Sequence, residues 1–122
     1  MALPINYPLD MQRVIAHSPS IGASVVPAYT TAPFRGQIAK FGVVTGGAIT
    51  TANATVTVAV NGTTIGTLTV TFSGAAAGQV FTSAPTTYAL SQVNEDDAIS
   101  FTPAGASGAS IPGTFFAVIL AS

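Results

Sequence analysis

The sequence predicts an all-β chain: an antiparallel β-sandwich or jelly roll of six to eight short strands, preceded by an extended N-terminal arm. Short runs rich in Val, Thr and Ile recur after residue 33, separated by Gly, Pro and Asn turn signals. No stretch shows the apolar period of an amphipathic helix. Five of the eight prolines lie within residues 1–33, where no period persists. These observations divide the chain into an arm, residues 1–33, and a sandwich domain, residues 34–122.

The arm is predicted to be extended because proline removes a backbone hydrogen-bond donor and restricts φ. Short extended pieces are expected at residues 12–16 and 24–26. Two interpretations stay open: an irregular leader that packs on its own domain, or an arm that lies on a neighbouring subunit. The low charge of the segment favours order, since disordered segments are usually charged and poor in apolar residues.

The domain is expected to begin with a strand at residues 37–45, which ends at a Gly-Gly pair. Residues 55–60 then alternate, with three valines on one side and Thr, Thr and Ala on the other. The Asn-Gly pair at 61–62 is typical of a two-residue type I′ hairpin turn, because both turn residues need positive φ. The return strand is expected in two parts, residues 63–65 and 67–72, with a bulge at the glycine between them.

The remaining segments alternate short strands with turns. Both faces of the last strand are apolar, which predicts either a central position in a sheet covered on both sides or exposure to a partner. Elsewhere threonine lines the polar side of the strands and keeps it solvated without charge. Strands are expected at residues 80–82, 87–90, 98–102 and 114–120, joined by a turn at 94–97 and a small-residue loop at 103–113.

Charged residues make up 6% of the chain, against about 25% in an average globular domain. Three basic residues cannot neutralise a useful run of phosphates, so nucleic acid is not an expected partner. The absence of cysteine excludes a disulfide framework and a thiolate metal site. No apolar run approaches the roughly 20 residues of a transmembrane helix, and the first ten residues lack the basic region of a signal peptide. We therefore expect no membrane partner.

The low charge also predicts association. A net charge of −1 favours contact between copies over dispersal. Natural edge strands are protected by lysine, proline or inward-pointing charges, and the domain has few of them. We expect its edges to be covered by the arm or by another subunit.

No catalytic, cofactor-binding or metal site is expected, and the chain is not predicted to be an enzyme. His17 is the only histidine, and no Gly-x-Ser-x-Gly nucleophile motif is present. The one charge cluster, Glu95-Asp96-Asp97, is typical of a solvated turn. An ion pair across an interface and an oxygen-ligated calcium site are the alternatives, but the cluster lacks the alternating ligands and bend glycine of a calcium loop.

Residues 36–101 carry a pattern of structural motifs. They read Gly-x-Ile-x-Lys-x-Gly-Val-Val, Gly-Gly-Ala-Ile-Thr-Thr-Ala, Thr-Val-Thr-Val-x-Val-Asn-Gly-Thr and Ala-Ala-Gly-Gln-Val, then a turn into a late strand. This block resembles small β-sandwich structural proteins of tailed bacteriophages, especially the capsid decoration or cement proteins. Many such sequences have Gly-Asp in the turn before the late strand, where this chain has Asp96-Asp97.

The resemblance implies a protein of the outer capsid surface of a virion, made in the cytoplasm of the bacterial host. It would act as a homodimer or homotrimer, bridge subunits of the major capsid protein and stabilise the shell. The alternative is a receptor- or glycan-binding β-sandwich module of a phage head or tail fibre, although the chain has no Trp to form a sugar platform. The candidate residues for capsid or oligomer contacts are Leu3, Ile5, Tyr7, Leu9, Met11, Arg13, Arg35, Lys40, Phe115 and Phe116.

Overall fold

The computed structural model describes residues 11–21, 25–47, 53–71, 77–86, 91–104 and 111–121. These residues contain nine strands and no α-helix, and the strands form two antiparallel sheets packed as a β-sandwich. The predicted all-β sandwich is therefore confirmed. The strands are β1 (Met11–Ser18), β2 (Ala28–Thr31), β3 (Gly36–Thr45), β4 (Ala54–Val60), β5 (Thr63–Val70), β6 (Val80–Ser83), β7 (Gln92–Val93), β8 (Ala98–Ala104) and β9 (Gly113–Ala121).

The two sheets draw on strands from distant parts of the chain. Sheet I has the order β1-β9-β3-β6, and the short β7 also pairs with β3. Sheet II has the order β2-β8-β4-β5. Seven of the nine strands, β3 to β9, follow residue 33, which agrees with the six to eight expected there.

The hairpin of β4 and β5 forms as predicted. Asn61 and Gly62 have φ of 50° and 88°, the left-handed values that a type I′ turn requires. Val58 pairs with Gly66 and the next residue pairs with Thr64, so Ile65 is the extra residue of a bulge beside the predicted glycine. The turn residues therefore set the register next to the turn, where Val60 pairs with Thr63, and the bulge shifts it farther along the hairpin.

Two strands lie within the segment predicted as an arm. β1 covers the extended piece expected at residues 12–16 and pairs with β9, and β2 pairs with β8. β1 ends before Pro19 and β2 begins after Pro27, so both strands keep every backbone donor that pairing needs. The described part of the other expected piece, residues 25–26, is not a strand. Residues 11–18 and 28–31 thus belong to the sandwich, whereas residues 1–10 lie outside the described residues.

Some expected boundaries shift in the second half of the chain. β8 continues through Pro103 to Ala104, because Val56 and Thr55 of β4 pair with these two residues. β9 begins at Gly113, at the end of the predicted loop. The strand expected at residues 87–90, the last residue of the strand expected at 67–72 and the middle of that loop, residues 105–110, lie outside the described residues.

The hydrophobic core lies between the sheets. The rings of Phe101 in sheet II and Phe115 in sheet I stack there, with centroids 5.0 Å apart and planes within 7°. Phe41, Ile99 and Val58 are also fully buried. Full burial of such a side chain stabilises the fold by roughly 1.5–3 kcal/mol. No buried side-chain polar atom among the described residues lacks a hydrogen-bond partner.

β9 is the central strand of sheet I, between β1 and β3. Its inner side chains, Phe115, Ala117 and Ile119, are fully buried in the core. Its outer side chains include Phe116 and Val118, each only 6% exposed although they point away from the core. Because the side chains on both sides of β9 are buried, both of its faces are apolar in the sequence.

Candidate functional site

The candidate site is the outer face of sheet I, formed by the side chains of β1, β9 and β3 that point away from the core. Antiparallel pairing sets them in rows across the sheet, because residues directly opposite each other share a face. Met11 pairs with Leu120, Arg13 with Val118 and Ile15 with Phe116. β3 continues these rows with Gln37, Lys40 and Gly42.

A bulge in β3 places Lys40 on this face. The register with β9 shifts between Ile38 and Lys40, so Ala39 is an extra residue. Ile38 and Phe41 consequently both point inward and are fully buried, although they are three residues apart. Without the bulge, alternation would turn Lys40 toward the core.

Phe116 lies in the middle of the face, between Ile15 of β1 and Gly42 of β3. Its ring covers Gly42 so closely that a Cβ atom added there would stand 2.5 Å from the ring Cζ. The guanidinium carbon of Arg13 lies over the ring, 4.6 Å from its centroid. This cation–π contact contributes about 0.5–1 kcal/mol at an exposed site. Arg13 is therefore held in place over the sheet.

Several large apolar side chains on this face remain open to solvent. Met11 is 42% exposed, Ile15 is 60% exposed and Leu120 is 40% exposed. Val80 of β6, which pairs with the outward Val44, is 50% exposed. Exposed apolar side chains gathered on one face, with polar groups beside them, are typical of a protein contact surface.

The charge of this face is positive. Arg13 and Lys40 stand on either side of Val118 in one row, and no described strand residue of sheet I carries a carboxylate. Arg35 is exposed immediately before β3. Among the described residues these three cations form no ion pair. The face thus combines apolar side chains with cations that have no acidic partner in this part of the chain.

The acidic cluster forms a turn between β7 and β8, as predicted. The backbone N–H of Asn94 donates to Oδ2 of Asp97 at 2.8 Å, and the N–H of Asp97 donates to the carbonyl of Asn94 at 3.1 Å. Hydrogen bonds from the Asn94 backbone and then the Asn61 side chain hold the pKa of Asp97 below its ordinary value of 3.8. Asp96 has φ 71°, a left-handed conformation that favours glycine.

The structure brings four of the ten predicted contact residues together on the outer face of sheet I: Met11, Arg13, Lys40 and Phe116. Phe115 is instead stacked in the core, so its ring offers no surface to another chain. Arg35 is exposed, but it precedes β3 rather than lying in a row of the face. The other four, Leu3, Ile5, Tyr7 and Leu9, lie outside the described residues.

Sequence reasoning missed Ile15 and Leu120. Ile15 lies four positions from the predicted Met11 along β1, and Leu120 lies four positions from the predicted Phe116 along β9, so each points to the same side of the sheet as its predicted neighbour. The alternation along β1 and β9 therefore groups these residues on one side of each strand. Which side points away from the core becomes clear only once the pairing of β1 with β9 is known.

The outer face of sheet II has a different composition. Its outward residues on β4, β5 and β8 are mostly threonine, and none of them is charged. Tyr29, on the edge strand β2, is 68% exposed beside this face and pairs with Ser100. The exposed threonines of the face include Thr55, Thr67, Thr69 and Thr102.

The described part of the chain contains no pocket, no helix long and apolar enough to cross a membrane, and no group of three or more metal-ligating side chains. Nδ1 of His17 lies 3.4 Å from the Thr114 hydroxyl on the outer face of sheet I, a contact between neighbouring strands.

No protein-family model matches the chain, and a search of curated proteins finds no significant match. Solved structures share its fold at low identity. A chain from the acidic stable capsid of Helicobacter pylori bacteriophage KHP30 has 14% identity and a TM-score of 0.51, over 90% of this chain and 92% of that one. The carbohydrate-binding module CBM36, in complex with calcium and xylotriose, has 14% identity and a TM-score of 0.52, over 88% and 97%. CsCBM6-3 of Clostridium stercorarium, in complex with cellobiose, has 15% identity and a TM-score of 0.53, over 79% and 67%.

Proposed function

We propose that this chain is a non-enzymatic structural protein of a phage capsid, a decoration or cement protein that binds the outer surface of the head. It bridges subunits of the major capsid protein and stabilises the shell after synthesis in the bacterial host. The outer face of sheet I carries this proposal, because exposed Met11, Ile15 and Leu120 lie there with Arg13 and Lys40. The resemblance of residues 36–101 to phage decoration proteins supports it, and the fold is compatible with that of a phage capsid chain.

The composition of the face indicates the chemistry of its partner. Burial of the three aliphatic side chains favours association, and a carboxylate on the capsid surface complements the two cations. Recognition of the assembled lattice, and not of free subunits, then stabilises the shell by mass action. The arm residues Leu3, Ile5, Tyr7 and Leu9 are proposed as further contacts, since residues 1–10 lead directly into β1.

Co-sedimentation with undecorated heads of the phage that encodes the chain tests the proposal. The wild-type protein is expected to pellet with the heads, and Lys40→Glu is expected to lower its affinity at least tenfold, because the reversed charge repels the capsid carboxylate. Thr102→Glu is the matched control, since it adds a carboxylate to the exposed outer face of sheet II. Failure of the wild type to pellet, or equal binding by both variants, contradicts the proposal.

A glycan-binding module of a phage fibre is the second candidate. Tyr29 favours it, because an exposed aromatic ring beside a row of hydroxyl groups suits stacking on a sugar ring. A glycan array with the wild type and Tyr29→Ala tests this function. Glycan binding that is lost in Tyr29→Ala, without binding to heads, favours it over the capsid proposal.

A further inference from the structure

The edges of the two sheets differ in how well they are covered. β2 and β6 are each four residues long, too short to provide a long template for pairing. β5 is longer but carries the bulge at Ile65, whose carbonyl also accepts hydrogen bonds from the backbone N–H and the side-chain hydroxyl of Thr86. Each of these three edges is thus short, irregular or partly occupied.

β1 is the exception. It has eight residues and pairs with β9 without a register shift, so its other edge is regular along its whole length. In the described part of the chain, residues 11–17 make no backbone hydrogen bond except to β9. The strand contains no proline and no lysine, and Arg13 is its one charged residue. The usual protections of an edge strand are therefore almost absent.

We infer that β1 pairs antiparallel with β1 of a second copy of this chain, about a two-fold axis at Ile15. The axis is perpendicular to the sheet, so each residue faces one of the same parity and both cores lie on the same side. Ile15, the most exposed aliphatic side chain of the strand, then contacts its symmetry mate.

Among the outward residues of β1, charge and exposure together favour an axis at Ile15 over one at Arg13. An axis at Arg13 would set the two guanidinium groups directly opposite each other, and like charges in that position are destabilising. With the axis at Ile15, Arg13 faces His17 of the second copy. The two arginines are then offset by four residues, about 14 Å along the strand direction. Seven residues of each strand, 12–18, are paired in this arrangement.

The pairing joins the five-stranded sheet I of each copy into one sheet of ten strands. The outer faces of sheet I become continuous and look in the same direction, so a dimer presents two copies of the candidate contact surface. Two linked surfaces bind a repeating lattice more tightly than one. The inference itself concerns the free protein, and its test is independent of capsid binding.

Cysteine cross-linking provides a direct test, because the chain has no cysteine of its own. Opposite Cα atoms at the axis lie about 4.5–5.5 Å apart, within the range of a disulfide. Mild oxidation is expected to convert most of the Ile15→Cys protein to a covalent dimer. Thr67→Cys, exposed on the edge strand β5, is the matched control and is expected to remain largely monomeric.

Sedimentation velocity on the free protein gives the second measurement. The wild type is expected to sediment as a dimer, and Ile15→Arg as a monomer, because it places arginines against each other at the axis. Thr102→Arg should leave the dimer intact. A monomeric wild type overturns the inference, as does a trimer, or an Ile15→Cys variant that cross-links no better than Thr67→Cys.

Discussion

The outer faces of the two sheets share one strand geometry but differ in chemistry. On sheet II the outward positions are mostly threonine, whose hydroxyl groups remain hydrated without any charge. On sheet I they include exposed Met11, Ile15 and Leu120, with Arg13 and Lys40 in the row between. The scarcity of charged residues therefore has a different consequence on each outer face. On sheet II threonine hydroxyl groups keep the face hydrated, and on sheet I large apolar side chains remain exposed.

The largest effect on stability is expected in β9, where two neighbouring phenylalanines face opposite sides of sheet I. Phe115→Ala removes a stacked ring from the core and should lower the free energy of unfolding by about 3–5 kcal/mol. Phe116→Ala removes a ring from the outer face and should cost less than half as much. Chemical denaturation of both variants measures the difference. Equal losses would mean that the outer ring is as deeply integrated as the inner one.

A smaller loss of stability is expected when Gly42, which is covered by the Phe116 ring, is replaced. Gly42→Ala places a Cβ 2.5 Å from the Phe116 ring and 2.6 Å from the carbonyl oxygen of Phe81, so the ring or the strand must shift. Overpacking of this kind costs about 1–3 kcal/mol. Gly47→Ala is the control, since its Cβ would meet Ile111 at an ordinary 3.5 Å. Thermal melts in which both variants behave alike would contradict the close contact described for Gly42.

A substitution in the turn between β7 and β8 is expected to raise stability. Asp96→Gly relieves a left-handed residue with φ 71° and should raise the free energy of unfolding by roughly 0.5–1 kcal/mol. Gly62→Ala, at φ 88° in the other tight turn, should change it in the opposite direction. A destabilised Asp96→Gly protein would show that the aspartate side chain contributes more than its backbone conformation costs.

The smallest effect is expected from the carboxylate of Asp97. Its pKa is lower in the folded chain than the ordinary 3.8, so its contribution to stability is present above about pH 4 and is lost as the pH falls through the folded value. Asp97→Asn should therefore lose less stability on acidification than the wild type. Denaturation at pH 6 and pH 2.5 measures this, with Glu95→Gln as the control from the same turn. An unchanged acid response in Asp97→Asn would contradict the role given to its hydrogen bonds.

The elements predicted correctly are those specified by neighbouring residues. The hairpin at Asn61-Gly62 and the turn before Asp97 depend on local backbone chemistry, which the sequence displays directly. The extended piece at residues 12–16 is predicted from local alternation, but its partner is not, because β1 pairs with β9 about a hundred positions away. The bulge at Ala39 was missed for a similar reason, although Ile38 and Phe41, three positions apart and both apolar, were a readable signal.

The residues of the contact surface also depend partly on residue type, which the sequence displays, and partly on strand pairing, which it does not. Residue type and position predict Met11, Arg13, Lys40 and Phe116 as contacts, and the pairing of β1, β9 and β3 brings them together. The same reasoning predicts Phe115 as a contact, yet alternation along β9 places its ring in the core. Residue type indicates what a surface can contact. Strand pairing decides which residues reach it.

The central place of β9 in sheet I also affects how the chain is made. β1 and β3 both pair with β9, the last of the described strands in chain order, so neither has its main partner when it leaves the ribosome. Contacts between such distant strands slow folding and prolong the exposure of unpaired strands. Sheet II, whose strands β2, β8, β4 and β5 all precede β9, does not have to wait for it. Translation therefore exposes the edges of sheet I to other nascent chains longer than those of sheet II.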